Sequence, residues 1–320
     1  MIEDLRAFVS FVSHGSLSRT AAHLRLSQPA ITRRIQRLEM AMGGTLLDRS
    51  VKPARLSALG VRLYERAQAV LQGIDGLQEL MSEDGEPNGT LRIGAVQSIS
   101  NTTAVSAVAQ LKRRFPTLRI EIQSDWSLEL VRKIQLGRLD VAAVMLPLSA
   151  QVPEGVTGER IGTHRAAVVA PKSFPLKGSV ALRQLAPRPW VLYPEGGCIL
   201  RAALSREFQA RGLNLDVAVS DFGLEHQLGL VAAGAGLGFV SEIMVKASRY
   251  RDNLRVVRVK DFAFDFDIWL IHPPFLGRLK SPVAVFSGIV AERFGASKAR
   301  SRQTRAARAI AGPRSGIGVG

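Results

Sequence analysis

Residues 16–39 constrain this chain more than any other stretch. Ser16 or Ser18 can cap a short helix in which Ala21, Ala22 and Leu24 are small or apolar enough to lie against a neighbour. Ser27 caps a second helix, and Pro29 falls in its first turn, where a missing N–H costs little because no intrahelical acceptor exists there yet. Ile31, Ile35 and Leu38 recur at i, i+4 and i+7, so one stripe of the second helix faces a core. The opposite face carries Gln28, Thr32, Arg33, Gln36 and Arg37. Two short helices, a tight turn and a basic, amide-bearing second helix predict a helix-turn-helix whose second member enters the major groove of DNA. The plainer alternative is a helical hairpin with a solvated basic face. Leu5, Phe8, Val9 and Val12 supply a supporting helix over residues 2–13, and Gly15 ends it.

The order of residues argues for the first alternative. Ser16, Ala21-Ala22, Leu24, Ser27-Gln28-Pro29-Ala30 and Leu38-Glu39 together resemble the LysR-type transcriptional regulators, and the likeness continues through Gly43, Leu46-Leu47, Arg49, Leu56-Ser57 and Gly60. Leu47 stands where that family usually has Phe, a tolerated core exchange. The resemblance implies a winged helix-turn-helix, a long linker helix that pairs two DNA-binding domains, and a two-lobed α/β effector domain similar to type II periplasmic binding proteins. It further implies a small-molecule co-inducer, a dimer of dimers, and contact with RNA polymerase, with no catalysis and no cofactor.

Charge is placed consistently with a polyanionic partner. The net charge is +16 and the pI about 11.0. Between Arg19 and Arg66 there are ten bases against three acids, whereas residues 299–320 hold five arginines and no acid. The strands expected on either side of Lys52-Pro53 form a wing, with Arg49, Lys52 and Arg55 set to lie along phosphates. We expect Gln28, Pro29, Thr32 and Arg33 to approach base edges and Arg19, Arg34, Arg37, Lys52 and Arg55 to hold phosphates.

Leu63, Ala67, Val70, Ile74, Leu77 and Met81 make a heptad seam on a helix over residues 58–81, suited to pairing with a second subunit or to packing on its own domain. Residues 82–89, with Gly85, Pro87 and Gly89, read as a linker. Strands then alternate with helices: strands over 90–96, 119–124 and 141–146 with helices over 102–115 and 128–139, followed by a second unit with strands near 165–170, 190–193, 217–221, 238–241 and 254–259. The expected division is a DNA-binding domain over 1–60, linker helix and hinge over 61–89, lobe I over 90–161 and 268–294, lobe II over 162–267, and a basic, disordered tail over 295–320.

Open α/β sheets bind ligands beyond the carboxyl ends of their strands, where helix N-termini offer unpaired N–H groups. Those ends are Gln97, Ser98 and Ser100 after the first strand, Asp125-Trp126-Ser127 after the second, the loop Tyr193-Pro194-Glu195-Gly196-Gly197-Cys198, and Asp221-Phe222. The expected effector residues are Gln97, Ser98, Ser100, Trp126, Ser127, Tyr193, Glu195, Cys198 and Asp221. The serines serve equally well as helix caps, and Trp126 as a packed aromatic. Asp125 and Glu195 would oppose a bare carboxylate, which points to a sugar or an aromatic acid.

Other signals carry less. Gly234-Ala235-Gly236-Leu237-Gly238 follows a helix and precedes a strand, the reverse of a phosphate cradle. The five histidines have no metal-ligand spacing, and the single cysteine excludes an internal disulfide. Without a basic-then-apolar leader or a membrane-length apolar run, a cytoplasmic protein with no membrane partner is expected. The rival readings are a nonspecific architectural DNA binder and an enzyme built on the lobes.

Overall fold

A computed structural model describes residues 1–51, 54–79, 87–148, 150–175 and 178–295. Helix α1 (Ile2–His14) stops at Gly15, whose φ of 64° lets the chain turn left-handed. Helix α2 (Leu17–Leu24) is capped by the Ser16 hydroxyl, which accepts the Arg19 N–H, and α3 (Gln28–Met42) by that of Ser27, which accepts the Ala30 N–H. Phe8, Ala21, Ile31, Ile35, Leu38, Leu46 and Leu47 bury themselves in one small core. The wing is a two-residue ladder of β1 (Leu47–Asp48) against β2 (Arg55–Leu56), and Lys52 and Pro53, which fall between them in sequence, lie outside the described residues.

Glu39 ties the wing to α3. Its carboxylate accepts the backbone N–H groups of Leu46 at 2.9 Å and Leu47 at 3.3 Å and the Arg49 guanidinium at 2.9 Å. Burial alone would raise this carboxyl, but the Leu46 N–H, Arg49 and the Leu47 N–H outweigh it and hold it below the ordinary range. A depressed folded value means stability that is present above the unfolded pKa, about 4.3, and lost as the pH falls through the folded one. Glu39→Gln should cost about 1–3 kcal/mol at neutral pH and flatten the acid limb of DNA-binding-domain unfolding, followed by circular dichroism. An unchanged acid limb would show that Glu39 does not hold the wing.

Helix α4 (Ala58–Glu79) leaves this core. Gly60 begins it in contact with the wing: a Cβ there would stand 2.1 Å from the Leu46 carbonyl oxygen. The heptad seam divides along the helix. Leu63 packs against the DNA-binding core, Ala67 is buried and Val70 is 51% exposed, while Leu77 and Met81 lie outside the residues whose side chains are described.

Beyond residue 87 the chain builds a mixed sheet in the order β10-β6-β11-β5-β3-β4, with β9 also on β6. Strands β3 (Thr90–Ala95), β4 (Arg119–Ser124) and β5 (Val141–Pro147) are parallel and carry α5 (Gln97–Arg114) and α6 (Ser127–Gln135). Strand β6 (Thr157–Pro171) passes from this lobe into the second, where β9 (Gly238–Ser241) and β10 (Leu254–Val257) pair with it. A parallel pair, β7 (Trp190–Leu192) and β8 (Val217–Ser220), lies beyond, bridged through Trp190 to Leu237, with α7 (Ile199–Ala210), α8 (Leu224–Ala232) and α9 (Glu242–Ala247) around it. Strand β11 (Phe264–His272) returns antiparallel to β6 and β5, and α10 (Lys280–Phe294) closes the first lobe.

The lobes therefore part inside two continuous strands. At the crossing, β11 shifts register between Ile268 and Trp269, and Thr163 donates to the buried Asp267 carboxylate. The largest differences from expectation fall at three ends, one being the stop of α6 at Gln135 rather than 139. Strand β6 starts at Thr157 rather than 165, and α5 starts at Gln97 rather than 102, which places Ser98 and Ser100 within its first turn.

Candidate nucleic-acid interface and inter-lobe cleft

The exposed face of α3 gathers Gln28, Pro29, Thr32 and Arg33 around a shallow open hollow completed by Leu17 of α2. Gln28, Pro29 and Arg33 are exposed, and the Thr32 hydroxyl donates to the Gln28 carbonyl at 3.1 Å. Arg19 and Arg55 are exposed on α2 and the wing; Lys52 lies outside the described residues.

Arg34 and Arg37, expected on phosphates, are each paired with an acid of α1. The Arg34 guanidinium sits 2.8 Å from the Glu3 carboxylate and also donates to the Glu3 carbonyl, while that of Arg37 lies 2.6 Å from Asp4. Burial would raise the Asp4 carboxyl, but Arg37 and the N-terminal ammonium lower it on balance. Both arginines thus clamp α3 to the first turn of α1, because acids placed there for the helix dipole face the flank of α3.

A cavity of about 240 Å³ opens between the lobes. Gln97, Ser98, Trp126, Ser127, Tyr193 and Cys198 line it as expected from their loops. Ser127 is committed to structure, since its hydroxyl accepts the Met145 N–H at 3.1 Å, while the Ser98 hydroxyl lies 3.5 Å from the Met145 sulfur. Tyr193 donates to the Gln97 side-chain oxygen at 3.3 Å, joining the lobes. Its phenol is pushed far up, first by burial and then by Cys198 and Asp221 nearby. Burial also pushes up the Cys198 thiol against the opposing N–H groups of Arg201 and Leu200, so the sulfur stays protonated at neutral pH.

Three expected residues stand outside the lining. Ser100, within the first turn of α5, is not among the residues that wall the cavity. Glu195 is exposed and pairs with Arg201 at 3.1 Å. The Asp221 carboxylate accepts the Gly223 N–H at 2.5 Å and faces His226 at 3.8 Å, holding the loop rather than the cavity. Their places are taken by Met145, Phe222, Leu224, Val240, Ser241 and Met244. Of these, Phe222 follows directly on Asp221 at a strand end, a position that flags it in the sequence; Ser241 and Met244 come with α9, a helix too short to leave a periodic signature.

No lysine, arginine or histidine is among the described residues lining the cavity. Asp125, its one carboxylate, is held by Lys133 at 2.7 Å and accepts the Trp126 N–H. Helices α5, α6, α7 and α8 begin at the wall, and helix N-termini favour negative charge.

Two family models cover most of the chain. The bacterial regulatory helix-turn-helix protein of the lysR family matches residues 2–61, and the LysR substrate binding domain matches residues 84–294. The chain belongs to the LysR family. Like the family, this LysR-type chain is a DNA-binding transcriptional regulator with an effector-binding domain, not an enzyme. It is 27% identical over 256 residues, 79% of its length and 83% of the relative's, to a hydrogen peroxide-inducible genes activator of Pectobacterium carotovorum. It is 25% identical over the same shares to the DNA-binding transcriptional dual regulator OxyR of Escherichia coli. A full-length OxyR point variant from Pseudomonas aeruginosa superimposes with a TM-score of 0.72 at 21% identity, covering 91% of this chain and 97% of that one. CbnR solved with its target DNA gives 0.57 at 21% identity, over 92% and 99%. These likenesses confirm the winged helix-turn-helix and two-lobed α/β architecture. Among the described residues no helix is long and apolar enough to cross a membrane.

Proposed function

We propose that this regulator reads operator DNA as a cytoplasmic dimer or dimer of dimers, with Gln28, Pro29, Thr32 and Arg33 at base edges and Arg19, Lys52 and Arg55 on phosphates. Dimerisation through α4 is supported by the exposed Val70 on its seam, and a two-fold axis would set half-sites roughly 34 Å apart. Binding of an effector between the lobes alters operator affinity or bend, and so promoter use by RNA polymerase, by a coupling of about 1–3 kcal/mol.

The effector we favour is a small aromatic acid. The observation that carries this is a cavity walled by Trp126, Tyr193, Phe222 and aliphatic side chains, lined by no basic side chain but by several helix N-termini. A ring stacks on such walls, and N–H groups at helix starts meet its carboxylate. A sugar ring would also stack, but its hydroxyls need more polar partners than this largely apolar wall supplies. Footprinting the full-length protein upstream of its own gene, with and without candidate aromatic acids, tests both halves at once. A uniform footprint on unrelated DNA would instead mark an architectural binder.

The names of the peroxide-responsive relatives favour a second reading in which Cys198 is the sensor. The thiolate would attack one peroxide oxygen, breaking the O–O bond to give a sulfenic acid and hydroxide, yet this thiol is buried, protonated and the sole cysteine. Under the aromatic-acid reading peroxide should not alter the footprint of the wild type or of Cys198→Ser; a peroxide-dependent footprint abolished by that substitution would replace that reading. Arg55→Ala should lower affinity evenly across sequences and reduce the slope of log K against log salt by about 0.9, measured by fluorescence anisotropy. A changed sequence preference with an unchanged slope would move Arg55 from phosphate to base.

A further inference from the structure

Trp126, immediately before α6, reaches out of lobe I into lobe II. Its indole lies on Gly197: a Cβ at position 197 would stand 2.3 Å from two of its ring atoms. Tyr193 meets the indole edge-on at 5.6 Å, and Phe222 lies at 6.2 Å. Gly196, not Gly197, supplies the left-handed turn of this loop, with φ at 99°. Glycine at 197 therefore answers a close approach and not a backbone requirement.

The other end of α6 holds the linker helix. Arg138, one residue past the left-handed Gly137, is fixed to the helix end by its N–H to the Lys133 carbonyl. Its Nε donates to the Gln68 side-chain oxygen at 2.7 Å, and its guanidinium stands 5.5 Å from the centroid of Tyr64. Arg132 adds an exposed pair to Glu65 at 3.2 Å, which contributes little by itself. Tyr64 in turn meets Phe8 edge-on at 6.5 Å, and its hydroxyl lies 3.3 Å from that of Ser13, so the contacts run on into the DNA-binding core. Between its ends α6 spans about 13 Å and is seated on the lobe I sheet by the buried Leu130, Val131 and Ile134.

We propose that α6 transmits the state of the cleft to the DNA-binding domain. Seating of Trp126 on Gly197 fixes lobe I against lobe II. Because α6 moves with lobe I, the same seating fixes Arg138 and thereby the angle of α4. An effector that displaces or tightens the indole shifts α4 through this helix. The proposal rests on the cleft being the effector site, but its mechanical part stands without any ligand.

Hydrogen exchange on the full-length protein, without DNA or effector, tests it. Gly197→Ala, which crowds the indole out, and Trp126→Ala, which removes it, should each speed exchange of α4 amides over residues 62–70 by about fivefold or more. Exchange in the central strands β3 and β5 should stay unchanged. Adding Gly197→Ala to Arg138→Ala should change α4 exchange no further, because the transmitting contact is already gone. Unaltered α4 exchange in Trp126→Ala, or full additivity of the double variant, overturns the proposal. If Gly197→Ala also loosens β3 and β5, Trp126→Ala alone decides, since it adds no atoms. A negative result leaves the effector reading standing, whereas that reading fails separately if no aromatic acid alters the footprint.

Discussion

Phe8→Ala should unfold the DNA-binding domain while leaving the effector domain's thermal transition in place. Phe8 is fully buried and is the largest side chain in a core of only eight buried residues, where Ile31, Ile35 and Leu38 of α3 meet Ala21 of α2. Truncating a buried phenylalanine costs about 3–5 kcal/mol, from lost transfer energy and from the cavity left behind. A unit of this size has roughly 3–9 kcal/mol of stability in all, so the loss is comparable with the whole. Few neighbours can collapse into the gap, because α1, α2 and α3 are already fixed by caps and by the Arg34 and Arg37 clamps. Calorimetry of the full-length protein should show a lower-temperature transition shifted or lost, and operator binding lost with it. Retained binding at wild-type affinity would mean that the α1 contact does not support the recognition helix.

What could be read from the residues alone follows the range of the interactions involved. Ser27, Pro29, Ile31, Ile35, Leu38 and Gly43 act within a few residues of one another, and the α3 they specify begins and ends where caps and left-handed glycine place it. The same holds for β9 over Gly238–Ser241. Strand β6 was legible only in its apolar half. Its first half, Thr-Gly-Glu-Arg-Ile-Gly-Thr-His, has no alternation and becomes strand because β11, about a hundred residues later, pairs with it.

The site residues divide in the same way. Ends of strands and starts of helices are local signals, and six of the nine expected effector residues do line the cavity. Glu195 and Asp221 fell outside because their carboxylates answer Arg201 and the Gly223 N–H, partners that a loop sequence does not reveal. The pairing of Arg34 and Arg37 was not legible because a helix read alone cannot see Glu3 and Asp4 some thirty residues earlier. Position 197 could be noted as a glycine, but not as the floor beneath Trp126.

The same geometry sets apart arginines that a charge count treats alike. Gln28→Ala and Arg33→Ala should each relax sequence preference by about 1–3 kcal/mol, the worth of a good amide or guanidinium contact to a base edge, while leaving the thermal stability near wild type. Both side chains are exposed on the outward face of α3, so truncation removes nothing from the core. Together the two changes should lower discrimination between operator and random duplex by on the order of a hundredfold, less than additively if they share one base step. Arg37→Ala should do the opposite. It leaves Asp4, a largely buried carboxylate with a depressed pKa, paired with the N-terminal ammonium alone, so the cost falls on domain stability and is largest above the ordinary carboxylate range, fading as acid protonates Asp4. Selection of bound sequences from a random pool, run beside thermal melts, separates the two classes. If Arg37→Ala relaxed sequence preference without loss of stability, and Arg33→Ala did the reverse, the outward face of α3 would not be the one that meets the groove.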